Sequence, residues 1–154
     1  MIAPVTFIIR PGYYRDQLTL RKVRGASKYN TITFKTLREN SWDVKITPYP
    51  YDDTEGFVIK FDDARHYRII GLTLELVNEA RPGTVKVVNA AFDLRVEKCD
   101  LVSPEGESFS ADRSTVYLAP LSSNGIYFRD DLIVGGQMGS TSPDRQKNTR
   151  RIRR

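Results

Sequence analysis

YRIIGLTLELVNEARPGTVKVVNAAFDLRVEKCD, residues 67–100, decides the fold class. Apolar residues alternate with polar ones along most of it, and β-branched and aromatic side chains are frequent. That is the period-2 signature of a half-buried strand, not the 3.6-residue period of a helix. Leu72, Leu74 and Leu76 share one face, with Thr73 and Glu75 on the other. In the second half Val88, Ala90, Phe92, Leu94 and Val96 share a face, leaving Asp93 and Arg95 opposite. Arg81-Pro82-Gly83 carries turn chemistry, and the sequence predicts a hairpin there joining two long antiparallel strands.

The pattern extends in both directions. Strands are expected at Val5–Arg10, Leu18–Val23, Thr31–Leu37, Trp42–Thr47, Phe57–Phe61, Tyr67–Asn78, Val85–Asp100, Ser114–Ala119 and Ile126–Val134. Pro- and Gly-containing separators lie at Pro11-Gly12, Gly25, Pro48–Gly56, Ser103–Gly106 and Ser122–Gly125. Single-turn helices fit only at Asp62–His66 and Glu97–Leu101. No repeat stands out at solenoid or propeller spacing. The expectation is an all-β, jelly-roll-like antiparallel β-sandwich over residues 1–134, followed by a disordered basic tail over 135–154.

Charge sharpens that division. The chain has 154 residues and a formal charge of +5. Arg145, Lys147, Arg150, Arg151, Arg153 and Arg154 are its last six basic residues, with no acid among them. Without them 18 basic face 19 acidic side chains, so the positive excess belongs to the tail. Six such charges on single-stranded RNA would give a log K against log salt slope of roughly −4. A second basic cluster, Arg21, Lys22 and Arg24 with Lys28, lies near Tyr13, Tyr14 and Tyr29, residue types that pair phosphates and stack bases.

The inventory disfavours an enzyme. Cys99 is the single cysteine and His66 the single histidine, so neither an intrachain disulfide nor a multi-cysteine zinc site can be assembled. No catalytic residue, metal ligand or cofactor is expected. Cys99 reads as a buried small hydrophobe, and His66 as a surface or strand-edge residue. The acid pairs Asp52-Asp53, Asp62-Asp63 and Asp130-Asp131 read as solvated turns. The VTFII run after Pro4 lacks preceding positive charge and is too short for a signal-peptide core, and no stretch approaches the ~20 apolar residues of a membrane span.

Residues 67–134 resemble the core of the thirty-kilodalton superfamily of plant-virus movement proteins. HYRIIGLTLELV is similar to the family's first long core strand, ARPGTVKVVNAAFDLR to its turn and next strand, and STVYLAPLSSNGIYFRDDLIV to its later strand pair. Asp93 falls at the signature aspartate, with Gly71 and Arg95 as accompanying signature positions. The length and tail are similar to the small movement proteins of tombusvirus-like RNA viruses. FDLR departs from the family pattern, in which a leucine commonly precedes the aspartate. The resemblance implies a protein that binds single-stranded RNA or DNA without sequence preference. It also implies association with peripheral host membrane and plasmodesmal components, action in the host cytoplasm and plasmodesmata, and compatibility with a homo-oligomer. Asp93 is expected to fix the sandwich edge by accepting backbone N–H bonds or pairing with an arginine, Arg95 being on its face.

Two other readings fit the same residues. FDDARHYRIIGLTLELV also resembles a strand pattern in capsids of small single-stranded-DNA viruses, which gives a small jelly-roll coat protein. Such capsids usually carry their basic arm at the N-terminus, where this chain has the nearly uncharged MIAPVTFIIR. The third is a matrix or silencing-suppressor protein that uses the tail on anionic lipid or duplex RNA.

Overall fold

The computed structural model describes residues 3–49, 56–77, 83–104, 114–119 and 124–135. Their chain visits three faces in rotation: β1 (Val5–Ile9), β2 (Gly12–Tyr14) and β3 (Leu18–Arg21), then β4 (Ile32–Thr36), β5 (Val44–Ile46) and β6 (Ile59–Asp62). The circuit repeats as β7 (Arg65–Ile70), β8 (Thr73–Glu75) and β9 (Val85–Val88), then β10 (Phe92–Glu97), β11 (Asp100–Val102) and β12 (Val116–Leu118). It runs on through β13 (Asn124–Arg129) and β14 (Leu132–Val134). Sheet A is ordered β1-β4-β7-β10-β13, sheet B β14-β11-β8-β5-β2 and sheet C β12-β9-β6-β3, and every described strand pair is parallel.

The all-β expectation therefore holds, but the antiparallel jelly-roll sandwich does not: this is a parallel β-solenoid. Parallel neighbours need long crossovers, and here the crossovers are the strands of the other two sheets. The two long strands expected around Arg81-Pro82-Gly83 are each broken. Tyr67–Asn78 divides at Gly71 into β7 and β8, and Val85–Asp100 divides into β9, β10 and β11. β8 and β9 belong to different sheets and do not form a hairpin. Arg81 and Pro82 lie outside the described residues. Asp62–His66 and Glu97–Leu101 contain strand and corner residues rather than helical turns; among the described residues the one helical turn is 3₁₀, Ser41–Asp43, capped by Asn40, whose Oδ1 accepts from Trp42 N at 3.2 Å.

Register explains why the repeat escapes a reading of the sequence. Val5 pairs with Ile32, Ile32 with Tyr67, Tyr67 with Leu94 and Leu94 with Ile126, offsets of 27, 35, 27 and 32 residues. Insertions at the corners vary the period while each strand keeps its partners.

The core is a set of like-on-like ladders. On sheet A, Phe34, Ile69, Val96 and Phe128 stack in register, and half-exposed Phe7 on the edge strand lies on Phe34 with centroids 4.9 Å apart and planes at 14°. Leu74 and Leu101 stack on sheet B, and Ile59 with Val85 and Phe61 with Val87 on sheet C; all are buried. Burying each such side chain contributes about 1.5–3 kcal/mol. Leu72, Leu74 and Leu76 do share the interior, as their alternation predicts.

Corners use left-handed backbone. Gly71 (φ +68°), Lys98 (+55°) and Asp130 (+57°) occupy equivalent places after sheet A, because Ile70, Glu97 and Arg129 are in register. Gly71 N donates to Glu97 O at 3.0 Å, and Lys98 N to Arg129 O at 2.9 Å. A Cβ on Gly71 would sit 2.6 Å from the Glu39 carbonyl carbon, so this corner needs glycine for space as well as for φ. Gly71, a signature position under the resemblance, thus turns the chain from sheet A to sheet B. At the far end Thr115 Oγ1 donates to Gly135 O at 2.9 Å, which attaches the first residue of the expected tail to the folded body.

Candidate nucleic-acid interface

A second row of left-handed residues runs through sheet A itself. His66 (φ +61°), Asp93 (+50°) and Gly125 (+72°) lie opposite one another, between the paired positions Arg65, Phe92 and Asn124 on one side and Tyr67, Leu94 and Ile126 on the other. Histidine and aspartate are among the non-glycine residues that tolerate this region best. The shared conformation breaks the alternation at the start of β10. Leu94 and Val96 point inward as expected, but Phe92 does not join them and is 44% exposed.

Its consequence is a compact charged cluster. His66 Nδ1 lies 2.8 Å from Asp93 Oδ2, and Arg68 Nη2 donates to Asp93 Oδ1 at 2.8 Å. Arg68 Nη1 also donates to the carbonyl oxygens of Asp93 (2.8 Å) and Tyr67 (2.9 Å). The His66 and Arg68 side chains are 14% exposed and that of Asp93 16%. Burial pushes the Asp93 carboxyl up, but the His66 hydrogen bond and the Arg68 guanidinium outweigh it and hold it below its ordinary range. Because a carboxylate can only accept, Nδ1 is the protonated nitrogen of His66, and Nε2 remains for another partner. Asp93 does pair with an arginine, but it is Arg68 on the neighbouring strand. Arg95 packs instead over the Tyr127 ring, 5.9 Å from its centroid.

Beside this cluster opens a cleft of about 370 Å³ lined by Lys22, Val23, Arg24, Gly25, Ala26, Arg65 and His66. Its loop is built locally: Ala26 N donates to Val23 O at 3.2 Å, and Gly25 supplies the positive φ of +86° in that turn. The buried Tyr67 fastens it to the core by donating its hydroxyl to Arg21 O at 2.7 Å. Cations from both the loop and β7 line the cleft. Arg65 is paired with Asp63 at 2.9 Å, and Arg21, which precedes the loop, lies 3.6 Å from Asp62. Lys22 and Arg24 are exposed and make no side-chain hydrogen bond or ion pair with the described residues.

The fold thus brings Lys22 and Arg24 of the internal basic cluster against Asp93's partner His66, an association not legible from positions more than 40 residues apart. Arg65, His66 and Arg68 were missed as site members. The ARHYR run was the available signal, but it carries no catalytic or metal spacing. Arg145, Lys147, Arg150, Arg151, Arg153 and Arg154 lie outside the described residues, as do Asp52 and Asp53. Cys99 is buried with its thiol pushed up to about 12 by burial, so it is an unreactive packing residue. Among the described residues no cluster of three or more His, Cys, Asp or Glu is arranged to hold a metal, and no helix is long and apolar enough to cross a membrane. Comparison of the chain with protein-family models, with curated proteins and with solved structures finds no match.

Proposed function

We propose that this β-solenoid is a binding module that holds single-stranded nucleic acid in the cleft between the Lys22–Ala26 loop and β7. The reading rests on one observation: Lys22 and Arg24 have no acidic partner among the described residues, while the carboxylates bonded to the lining residues Arg65 and His66, Asp63 and Asp93, are already engaged by Arg65, Arg68 and His66. Positive charge left over in a concave site attracts a polyanion. Exposed Tyr29 beside the loop, with Lys28 Nζ 4.8 Å from its ring centroid, adds a stacking surface for unpaired bases. The basic tail would extend the same electrostatic attraction.

The fold implied by the movement-protein resemblance is not the one found, so the proposal draws nothing from that resemblance. Its transport role is tested separately, by asking whether a fluorescent fusion in leaf cells reaches neighbouring cells. For binding itself the assay is fluorescence anisotropy with labelled oligouridylate. The Lys22→Ala/Arg24→Ala variant should bind more weakly, with a log K against log salt slope shallower by about 1.4, two contacts at ~0.7 each. Trimming the chain after Asp144 separates the tail's share. Unchanged affinity in the double variant would remove the cleft from the interface. Preference for polygalacturonate over the oligonucleotide at equal charge would replace nucleic acid by an acidic polysaccharide.

A further inference from the structure

At the opposite end of β3 from the basic cleft is a second depression, about 270 Å³ in volume, lined by Arg15, Asp16, Gln17, Pro48 and Tyr49. The Arg15 guanidinium carbon lies 5.6 Å from the ring centroid of Tyr13 and 5.2 Å from that of Tyr49, so both tyrosines hold the same cation. Tyr13 and Tyr49 remain 55% and 48% exposed. The other polar groups here are committed to the fold. Asp16 donates its N–H to Thr47 O at 3.2 Å and accepts from Gln17 N at 2.8 Å, and Gln17 Nε2 donates to Phe57 O at 2.8 Å. Arg15 makes no hydrogen bond or ion pair with the described residues.

A guanidinium oriented by two half-exposed rings, with its donors unused among the described residues, suits a ligand that is both planar and anionic. The planar part lies on the tyrosine or guanidinium face, and the anionic part accepts from the fork. A simple anion would make no use of the rings, and a neutral ring would leave the hydrogen-bond donors of the fork without an acceptor. A nucleotide uses both.

The position of this pocket relative to the cleft adds direction. β3 is the outermost strand of sheet C, and Arg15 and Lys22 flank its two ends. Fully extended chain from one to the other spans at most roughly 23 Å. We propose that the Tyr13–Arg15–Tyr49 corner is a nucleotide subsite of the same interface, so that one strand of nucleic acid lies along β3 from this corner to the basic cleft. The proposal rests on the reading of the cleft as a nucleic-acid site and makes it polar and finite. A ligand must be roughly four nucleotides or longer to engage both ends, the low end of site sizes for grooves that track single strands.

The test uses the full chain and two labelled probes, a 12-mer and a 3-mer of oligouridylate. Arg15→Ala should raise Kd for the 12-mer about tenfold and change the 3-mer less than twofold. Arg15→Lys keeps the charge but not the planar fork, so it should retain the wild-type salt slope and still weaken the 12-mer severalfold. Tyr49→Ala should weaken the 12-mer by a similar factor with no change in salt slope. Thermal melting identifies any variant that fails to fold, in which case the lysine variant decides. A 12-mer affinity unmoved by Arg15 and Tyr49 variants, beside a loss in Lys22→Ala/Arg24→Ala, would overturn the subsite and leave the cleft standing. Wild-type protein that binds neither probe overturns both.

Discussion

Replacing Asp131 by asparagine should stabilise the fold at neutral pH and leave it nearly unchanged in acid. Asp131 sits between β13 and β14, where its Oδ1 accepts from Cys99 N at 2.7 Å and its buried Oδ2 has no partner among the described residues. Burial, the chief cause, pushes this carboxyl up to about 6. The hydrogen bonds from the Cys99 and Arg129 backbone pull it down, and the neighbouring Glu97 and Asp130 charges push it further up. A carboxyl that titrates higher when folded than when unfolded favours the fold only while protonated. The penalty is absent below its ordinary value of 3.8, grows as pH rises, and is complete above about 6. That interval corresponds to ~3 kcal/mol. Since the group is only partly shielded from water, about 1–2 kcal/mol is the figure to expect. Asparagine keeps an acceptor for Cys99 N and carries no charge. Urea denaturation followed by circular dichroism, for both proteins from pH 4 to pH 8, gives the difference directly and cancels the other carboxylates. The difference should be close to zero at pH 4 and reach about 1–2 kcal/mol in favour of asparagine at pH 8. A flat difference, or asparagine less stable at pH 8, would refute the reasoning.

The Asp93 carboxyl has the opposite sign. Its lowered titration means its contribution is present above the ordinary carboxylate range and lost as pH falls through the folded value. Asp93→Ala leaves Arg68 without its carboxylate and should cost about 2–4 kcal/mol at pH 7, less in strong acid, by the same denaturation series. Gly71→Ala forces a side chain into a left-handed corner already occupied by the Glu39 backbone, and should lower stability by more than ~1 kcal/mol, visible as a reduced thermal midpoint. Leu94→Ala opens a cavity in a fully buried ladder and should cost about 2–5 kcal/mol without altering the salt dependence of oligonucleotide binding.

Alternation in YRIIGLTLELV and FDLRVE was enough to establish strands and to identify Leu72, Leu74, Leu76, Leu94 and Val96 as interior, because the side-chain period is 2 whichever way the neighbouring strand runs. The sequence also marked Arg21, Lys22 and Arg24 as a basic cluster, but that Arg21 pairs with Asp62 while Lys22 and Arg24 have no acidic partner among the described residues depends on the fold. Strand direction was not legible, since parallel and antiparallel pairing differ in what lies beside a strand and not in the strand's own sequence. Gly71 was visible, but that it turns the chain into a second sheet, and that Arg81-Pro82-Gly83 closes no hairpin, depends on which strands become neighbours. The solenoid repeat was hidden because corners absorb insertions that shift its period from 27 to 35 residues while leaving every ladder intact. Only the folded chain sets His66 beside Asp93, Arg68 beneath them, and the Lys22–Ala26 loop across from β7: contacts of this kind follow from the stacking of successive circuits, and no local pattern encodes them.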